Sequence, residues 1–530
     1  MKFALAFILG ILMLGQAAVK PATIEGIAKN LKTGEALADV RVTVTPELPA
    51  TGAKSATTDA EGKFIITGVA PGRYTFTATR TLFFRPRRNT GAVAVTLAAD
   101  QRLRDVQILL MPTGVIAGRV VDENREPLRS VRIDALRSEY QNGVRTWVNA
   151  QQNTTDDRGE YRLFNLQPGT YYIRATQGNT ATPSPALYYP GVPDSQNASP
   201  VQIEAGGELG AIDIAMRRTS EYAVQFRIGG VPPGSGVTLI IQKRNSKVVE
   251  TLPARPEILP DNSYRITRLP AGDYDIFAQV STPPQVQPRV TSHAGKIPVN
   301  IGRSDEDLGT VSVRPTVPIT GRIVVPEPLP SPVDLKRLTL TLRPLDIPAI
   351  ANTAVRGAAT PPGFNVDGTF TLNNVAVGRY QIVMTGLPAD TYLVSVRAGA
   401  REVLDSGYTA TGDQNPLELT IGGPGSVGVV EGTVVNARGE PMPAITVVLI
   451  PAGERRTNPS AFRTMASDQQ GNFAIRSVLP GDYKVLAWEE VEPGAYMDPD
   501  FLKDFETRGE TLRVQRGSQN AVTVPVIPAP

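Results

Sequence analysis

The chain has 530 residues and a formal net charge of +3, because 54 Lys and Arg nearly balance 51 Asp and Glu. One hydrophobic core rarely supports more than about 250–300 residues, so several domains are expected. A near-neutral chain without a basic stripe argues against nucleic acid as a partner. The chain contains no cysteine, which excludes disulfides and a thiolate nucleophile, so its cores alone must stabilise its domains.

The N-terminal segment predicts a secretory signal peptide over residues 1–17. Its Lys2 precedes an apolar run over residues 3–14, and the small residues Gly15 and Ala17 suit a signal peptidase. The run is too short for a bilayer, which needs about 20 apolar residues, and no later segment is longer. We therefore expect an exported protein with no membrane-spanning segment in the mature chain, located in the periplasm, on the outer surface or outside the cell.

One residue pattern recurs five times along the chain. An aromatic residue is followed eight positions later by a glycine and two positions after that by a tyrosine. The five sets are Phe64/Gly72/Tyr74, Tyr161/Gly169/Tyr171, Tyr264/Gly272/Tyr274, Phe370/Gly378/Tyr380 and Phe473/Gly481/Tyr483. A repeat of about 100 residues predicts five domains of one fold. With their expected boundaries, these units 1 to 5 are residues 18–112, 113–218, 219–315, 316–426 and 427–530.

The repeated pattern predicts two strands joined by a turn. Pro71-Gly72 favours a type II turn, and Asp59, three residues before Gly62, favours an Asx turn with a left-handed glycine. The residues after Gly72 alternate in polarity, as in a half-buried strand. An upstream pair of strands, the first carrying Gly118 in unit 2, predicts another hairpin. With about seven strands and no long helix, each unit has the profile of a β-sandwich.

These motifs carry a family resemblance. The phrases "GRVVDENREPL" and "GTVVNARGEPM", followed by T-D-x-x-G or S-D-x-x-G and then P-G-x-Y, resemble the carboxypeptidase regulatory-like domain. The match is strong in units 1, 2 and 5 and partial in units 3 and 4. The resemblance implies an all-β tandem array of about five immunoglobulin-like (prealbumin-like), seven-stranded β-sandwiches of an exported bacterial type. That domain usually accompanies a zinc peptidase or an outer-membrane receptor barrel, and the motifs of neither occur in this chain.

Few residues are suited to catalysis. The single histidine, His293, lies in an expected loop, whereas a zinc carboxypeptidase site needs at least two His and a Glu. A G-x-S-x-G elbow and a phosphate-binding glycine loop are missing from the sequence, and a carboxylate pair of the glycosidase type stays open. We expect no catalytic residue, no cofactor and a function that is not enzymatic.

The T-D-x-x-G turn has a second interpretation as a calcium loop. Such a loop usually supplies several acidic side chains in a short span. Here "TDAEG" offers two and "SDQQG" offers one. The sequence therefore favours a structural turn, and no metal site is expected.

Two insertions distinguish units 2 and 5 from the other units. The unit 2 insertion is residues 177–200, and the unit 5 insertion is residues 488–510, where Asp498-Pro499 predicts the start of a short helix. The insertions either cap their own sandwiches or form an aromatic platform for a sugar or protein partner. Under the second interpretation the ligand-binding residues are Tyr188, Tyr189, Trp488 and Tyr496.

The sequence thus predicts an exported, non-catalytic protein for binding, adhesion or cell-envelope organisation. A carbohydrate-binding protein, and an accessory subunit of a peptidase or outer-membrane transporter encoded elsewhere, are the alternatives. The possible partner is an extracellular glycan or a surface protein, and the oligomeric state is open. Short connections between units predict a stacked rod with a hinge at residues 422–428.

Overall fold

Strands make up nearly all of the regular structure. The computed structural model describes residues 20–46, 52–86, 95–178, 185–217, 220–230, 235–244, 246, 248–249, 251–252, 256–281, 291–312, 314, 316–345, 364–411 and 416–529. The predicted signal peptide therefore lies outside the described residues. The strands form five successive groups along the chain.

The first three groups correspond to units 1 to 3. Unit 1 contains β1 (Ala22–Asn30), β2 (Arg41–Pro46), β3 (Lys54–Thr57), β4 (Lys63–Val69), β5 (Gly72–Thr79), β6 (Phe83–Phe84), β7 (Val95–Leu97) and β8 (Arg102–Pro112). Unit 2 contains β9 (Gly114–Val121), β10 (Arg132–Gln141), β11 (Val144–Thr154), β12 (Glu160–Leu166), β13 (Gly169–Thr176), β14 (Leu187–Tyr188), β15 (Val201–Ile203), β16 (Glu208–Leu209) and β17 (Ile214–Ala215). Unit 3 contains β18 (Glu221–Gly229), β19 (Gly236–Lys243), β20 (Thr251–Leu252), β21 (Glu257–Ile258), β22 (Tyr264–Pro270), β23 (Gly272–Ser281), β24 (Thr291–Ile301) and β25 (Glu306–Ser312).

The last two groups correspond to units 4 and 5. Unit 4 contains β26 (Thr316–Val324), β27 (Thr339–Pro344), β28 (Thr369–Ala376), β29 (Gly378–Thr385), β30 (Tyr392–Ala398), β31 (Arg401–Glu402), β32 (Tyr408–Ala410) and β33 (Leu417–Gly422). Unit 5 contains β34 (Gly428–Val435), β35 (Thr446–Pro451), β36 (Arg463–Ala466), β37 (Asn472–Val478), β38 (Gly481–Trp488), β39 (Glu510–Val514) and β40 (Gln519–Ile527). Helical turns are short: α1 (Pro499–Leu502) and the 3₁₀ turns Ser195–Asn197, Pro424–Ser426, Gly453–Thr457, Pro459–Ala461, Ala495–Met497 and Glu506–Arg508.

Each unit is a sandwich of two layers around its own apolar core. In unit 1 the layers are β4-β1-β8-β6 and β3-β2-β5-β7, and units 2, 3 and 4 repeat this plan. The first strand of a unit lies between two partners. It pairs antiparallel with the strand that carries the repeated aromatic residue, and it pairs parallel with the last strand of the unit. In unit 5 a short parallel pairing of β38 with β40 joins the layers into one sheet. The predicted all-β array of β-sandwiches is confirmed.

The predicted hairpins are wrong in their pairing. Strand β4, which carries Phe64, pairs with β1, whereas β5, which carries Tyr74, pairs with β2 in the opposite layer. The chain therefore crosses between layers at the Pro-Gly step, and it crosses again between β1 and β2. Alternating polarity identifies a strand with one buried face, but it does not identify the neighbouring strand.

The glycine at this crossing adopts a conformation that few other residues tolerate. Its φ angle is 153° at Gly72, 142° at Gly169 and 156° at Gly481, in a region that is essentially restricted to glycine. The expected type II turn would instead place the glycine near +80°. The glycine is required as predicted, but for a crossing between layers and not for a tight turn.

The Asx turns form as predicted. Gly62, Gly159 and Gly471 have φ angles of 74°, 73° and 76°. The Asp468 carboxylate accepts the backbone N–H of Gln470 at 2.9 Å and of Asn472 at 2.8 Å, and Asp156 makes the same pair of contacts. Since these carboxylates bond to their own backbone, the motif has a structural role in each turn.

The residue before each of these aspartates joins the two layers. In unit 2 the Thr155 hydroxyl accepts the Val131 N–H at 2.9 Å and donates to the Leu128 carbonyl at 2.6 Å. Thr58 and Ser467 make corresponding contacts in units 1 and 5. The repeated T-D or S-D pair therefore ties the turn to the loop that enters the second strand.

The repeated tyrosine closes the crossing between layers. Its ring is buried, and its hydroxyl donates to the carbonyl four residues earlier. The bonds are Tyr171 to Gln167 at 2.7 Å, Tyr274 to Pro270 at 3.0 Å, Tyr380 to Ala376 at 2.6 Å and Tyr483 to Leu479 at 2.7 Å. This contact explains why the tyrosine lies two residues after the glycine in units 2 to 5.

Replacing Tyr483 by phenylalanine is expected to lower the free energy of unfolding by about 1 kcal/mol, because the Leu479 carbonyl loses its buried donor while the ring is kept. Urea denaturation of the full chain in a Trp147→Phe background, in which intrinsic tryptophan fluorescence comes from Trp488 of unit 5 alone, measures the change. Tyr496→Phe is the matched control, because the Tyr496 hydroxyl makes no hydrogen bond with the described residues. Equal stability of the two variants would contradict the role given to the Tyr483 hydroxyl.

Contacts between units show that the chain is not a rod. Unit 2 contacts unit 1, where Lys32 Nζ donates to the Ala205 carbonyl at 2.8 Å. Units 2 to 5 also contact one another in succession. Asp194 pairs with Lys243 between units 2 and 3, Arg314 donates to the Val377 carbonyl between units 3 and 4, and Arg455 pairs with Asp405 between units 4 and 5. Unit 5 then returns to unit 2, where the Tyr140 hydroxyl donates to Asp498 at 3.1 Å. Units 2 to 5 therefore form a closed ring, and the expected end-to-end rod is wrong.

The expected hinge at residues 422–428 is also wrong. Residues 424–426 form a 3₁₀ turn, and Gly422, Ser426 and Val427 are buried. The Val427 carbonyl accepts the Gly517 N–H at 3.1 Å. This connection is a packed turn at the junction of units 4 and 5, although its glycine-rich sequence is typical of a linker.

Candidate binding surface

The four aromatic residues expected at a ligand surface lie at two depths. The side chains of Tyr188 and Trp488 are 1% and 2% exposed, whereas Tyr189 and Tyr496 are half-buried. The rings of Tyr188 and Trp488 therefore belong to the hydrophobic cores. The arrangement favours the capping interpretation for Tyr188 and Trp488, and ligand binding by the four residues stays a prediction.

The unit 5 insertion builds a second apolar core on the outer face of its sheet. Alternate residues of β35 and β38 face outwards, and the insertion covers them with Leu502, Phe501 and Phe505. The ring centroids of Trp488 and Phe505 are 5.6 Å apart at an interplanar angle of 78°, and those of Phe501 and Phe505 are 5.0 Å apart. The buried members are Val448, Ile450, Phe462, Leu486, Trp488, Leu502 and Ile527.

The short helix in this insertion begins where the sequence predicts. The Asp498 carboxylate accepts the Asp500 N–H at 2.9 Å as N-cap, and Pro499 occupies the first helical position. The helix directs Leu502 into the second core. The Trp488 Nε1–H is buried without a hydrogen-bond partner, which adds a cost to this otherwise apolar cluster.

The unit 2 insertion extends its own sheet and then contacts unit 3. Residues 187–188 form β14 against β13, and the Tyr189 ring packs against the unit 2 core. Farther on, the Asp194 carboxylate pairs with Lys243 of unit 3 at 2.9 Å. Burial acts to raise the pKa of Asp194, but the Gln196 N–H and Lys243 outweigh it, so the pKa is lowered.

The unit 5 insertion meets a hairpin of unit 2 on its other side. Strands β10 and β11 are joined by Asn142-Gly143, whose φ angles of 52° and 80° are those of a type I′ turn. The Arg145 guanidinium lies 3.6 Å from the Glu492 carboxylate and 4.2 Å from the centre of the Tyr140 ring. Burial raises the pKa of Tyr140. Both insertions therefore connect units, since one contacts unit 3 and the other contacts unit 2.

Units 4 and 5 meet at a partly buried charged cluster. Arg455 Nε lies 2.7 Å from Asp405 Oδ2, and Asn458 donates to the same carboxylate at 3.1 Å. The Nε–H does not align for a hydrogen bond, so the Arg455–Asp405 contact is ionic. The cluster borders a cavity of about 250 Å³ between the units. Burial raises the pKa of the nearby Tyr483, although Arg455 opposes this shift.

The structure places His293 in β24, opposite Gln279, and not in the expected loop. Among the described residues, no three His, Asp or Glu side chains are grouped so that they could hold a metal ion. In the same part of the chain, no helix has the length and apolar character needed to cross a membrane.

Three segments of the chain match the family model described as the carboxypeptidase regulatory-like domain. They are residues 23–109, 115–217 and 429–494, which together make up slightly less than half of the chain. These segments fall in units 1, 2 and 5, the same units in which the sequence motifs indicated this domain.

Known proteins with similarity to larger parts of the chain are distant. Colossin-A of Dictyostelium discoideum is 21% identical over 377 residues, which are 63% of this chain and 3% of Colossin-A. A streptococcal ancillary pilin is 11% identical, with a TM-score of 0.20 over 58% of this chain and 99% of the pilin. The minor pilin of Streptococcus agalactiae is 16% identical, with a TM-score of 0.21 over 38% of this chain and 97% of the pilin. At such TM-scores the likeness bears on neither the arrangement of these units nor their function.

Sequence reasoning missed the unit 2 hairpin as a functional element. Its signal was present, because "YQNGVR" places Asn142-Gly143 between two alternating segments, which is a strong short-range indication of a hairpin. Its contact with unit 5 has no such signal, since Tyr140 and Asp498 are 358 residues apart.

Proposed function

We propose that the protein is an exported, non-catalytic scaffold of β-sandwich units that acts in binding, adhesion or cell-envelope organisation. One observation carries the proposal. The polar side chains that recur in the units bond to the backbone of their own unit, as Thr155 and Asp156 do. The segments that differ between units connect one unit to another, as Asp194 and Glu492 do.

Such an allocation of polar groups suits a structural protein better than an enzyme. Catalytic groups usually lie in a cleft where burial and neighbouring charges shift their pKa values. Here the Asp59, Asp156 and Asp468 carboxylates accept backbone N–H groups, and Asp134, which is 1% exposed, is paired with Arg132 and Arg174. The proposed partner is an extracellular glycan or a surface protein, recognised through the outer surface of the array.

The location can be tested on the full chain expressed with a C-terminal tag. We expect the protein in the extracytoplasmic fraction with Ala18 as its N-terminus in intact-mass spectrometry, because residues 1–17 have the features of a signal peptide. The comparison is a variant with charges in the apolar run, Leu5→Arg and Leu9→Arg, which should stay in the cytoplasm uncleaved. A wild-type chain that stays cytoplasmic with Met1 or Lys2 as its N-terminus would contradict export.

The class of partner can be tested with the purified mature chain. A glycan array and a pull-down from an envelope fraction separate the glycan from the surface protein. Saturable binding to either supports a binding scaffold. Hydrolysis or modification of an arrayed glycan or peptide by the chain alone would contradict the non-catalytic assignment.

A further inference from the structure

Two elements outside the sandwich cores hold units 2 and 5 together. One is the tip of the unit 2 hairpin, residues 140–145, and the other is residues 492–498 of the unit 5 insertion. The Tyr140 hydroxyl donates to Asp498 at 3.1 Å, and Arg145 Nη2 lies 3.6 Å from Glu492 Oε2. Neither element belongs to the main core of its unit, so the two can separate while both sandwiches remain folded.

The contact is shape-specific because two glycines let the backbones approach closely. A Cβ on Gly143 would lie 2.7 Å from the Met497 carbonyl oxygen, and a Cβ on Gly494 would lie 3.1 Å from the Tyr140 Cβ. Their φ angles of 80° and 86° are in the left-handed region. The hairpin tip therefore fits against the insertion only because each of the two segments has a glycine at the point of closest approach.

The hairpin tip and the unit 5 insertion share few polar contacts, and these are partly exposed to solvent. Arg145 and Glu492 are each 39% exposed, and solvent-exposed ion pairs of this kind are weak. Within one chain, however, a weak contact gains from a high effective concentration, which is millimolar for short flexible linkers. The contact can therefore be closed in the intact chain and still open readily.

The same hairpin tip also contacts unit 3. The Arg145 carbonyl accepts the Val249 N–H at 2.8 Å, and Thr146 forms an isolated parallel bridge with Val249. The tip thus joins three units. A change at the tip affects the closure of the ring at two of its junctions.

We propose that residues 140–145 and 492–498 form a reversible latch that closes units 2 to 5 into a ring. Release of the latch separates unit 5 from unit 2 and opens the ring. In the open form Met497 of the unit 5 insertion, against which Gly143 of unit 2 packs in the ring, faces solvent. This inference does not depend on which partner the protein binds.

Charge reversal across the latch tests the proposal. Small-angle scattering of the mature chain should give a larger radius of gyration for Arg145→Glu and for Glu492→Arg, and a near wild-type value for the double variant. A linear array of five units, each about 35 Å long, has a radius of gyration of roughly 50 Å, whereas a compact chain of this length has about 24 Å. We expect the single variants to show an increase of at least about one quarter.

Arg162→Glu is the matched control. It reverses the charge of one partner in the exposed Arg162–Glu208 ion pair, whose atoms are 2.8 Å apart. Both residues of this pair belong to unit 2. Its radius of gyration should equal that of the wild type. Circular dichroism before each measurement establishes that the units are folded. If Arg145→Glu unfolds, Glu492→Arg alone is used for the test, because residue 492 lies outside the strands.

Salt provides an independent test, because the Arg145–Glu492 ion pair is partly exposed and is screened by salt. In about 1 M salt the radius of gyration of the wild-type chain should rise towards that of Arg145→Glu, whereas that of Arg145→Glu should stay the same. Single charge reversals that leave the radius of gyration unchanged would overturn the latch.

Discussion

Trp488→Ala is expected to lower the free energy of unfolding of unit 5 by about 3–5 kcal/mol, as large-to-small substitutions of buried aromatic residues do. The ring is 2% exposed and packs against Phe501 and Phe505 with centroid distances of 6.4 and 5.6 Å. A domain of this size is usually stable by only about 5–15 kcal/mol, so the loss is a large share of the total. Chemical denaturation of the full chain, followed by circular dichroism, measures it.

The comparison with a half-buried ring separates the two interpretations of the insertions. Tyr496→Ala removes a ring at the surface of the second core and should cost less stability than Trp488→Ala. If the aromatic residues form a platform for a ligand, both variants should keep the wild-type stability and lose binding. If they cap the sandwich, the stability falls and binding per folded molecule is unchanged.

The same reasoning applies to the unit 2 insertion. Tyr188 is 1% exposed and Tyr189 is half-buried, although the two are adjacent in the sequence. Stability in Tyr188→Ala should therefore fall further than in Tyr189→Ala. A ligand surface at this position would have to be built from Tyr189 and its neighbours.

The repeat was predictable because its residues answer local requirements that every unit shares. The crossing needs a glycine at φ 153° in unit 1 and 156° in unit 5, and the tyrosine hydroxyl must reach the carbonyl four residues earlier. These requirements fix residue type and spacing, so they are visible as a pattern. The sandwich fold follows from the same pattern. The expected seven strands are found in unit 5, whereas the described residues of units 1, 3 and 4 form eight strands and those of unit 2 form nine.

Strand pairing was not predictable from that pattern. Alternation along β4 and β5 shows that each strand has a buried face, and both faces point into the same core. Adjacent strands in the sequence can therefore pair in one layer or lie opposite each other in two layers with the same alternation. In each unit the chain crosses, and Gly72 and its equivalents allow it to do so.

The burial of the insertion was not predictable for a related reason. In β38 the inward residues are Val485 and Ala487, so Leu486 and Trp488 occupy the face that a simple sandwich leaves in solvent. Their burial depends on a segment that follows β38 and folds back over it. An apolar residue on an outer face indicates a cover or a binding surface, and only the tertiary structure distinguishes the two.

Gly432→Ala is expected to be about as damaging as the loss of a large core side chain, at about 3 kcal/mol. A Cβ at this position would lie 2.0 Å from the Val522 carbonyl oxygen of the parallel strand and 2.9 Å from the Phe473 ring. Gly26, Gly118 and Gly321 have the same environment, with main-chain oxygens at 2.2, 2.1 and 2.6 Å. The first strand of these four units therefore requires glycine so that the last strand can lie beside it.

The cause of this loss can be identified with two further variants. Gly425→Ala is the control, because a Cβ there meets nothing within 4 Å, and its stability should stay within about 0.5 kcal/mol of the wild type. Phe473→Leu added to Gly432→Ala relieves the ring contact but leaves the contact with the Val522 oxygen, so it should not restore stability. Restoration by Phe473→Leu would show that the aromatic ring, and not the parallel strand, demands glycine at residue 432.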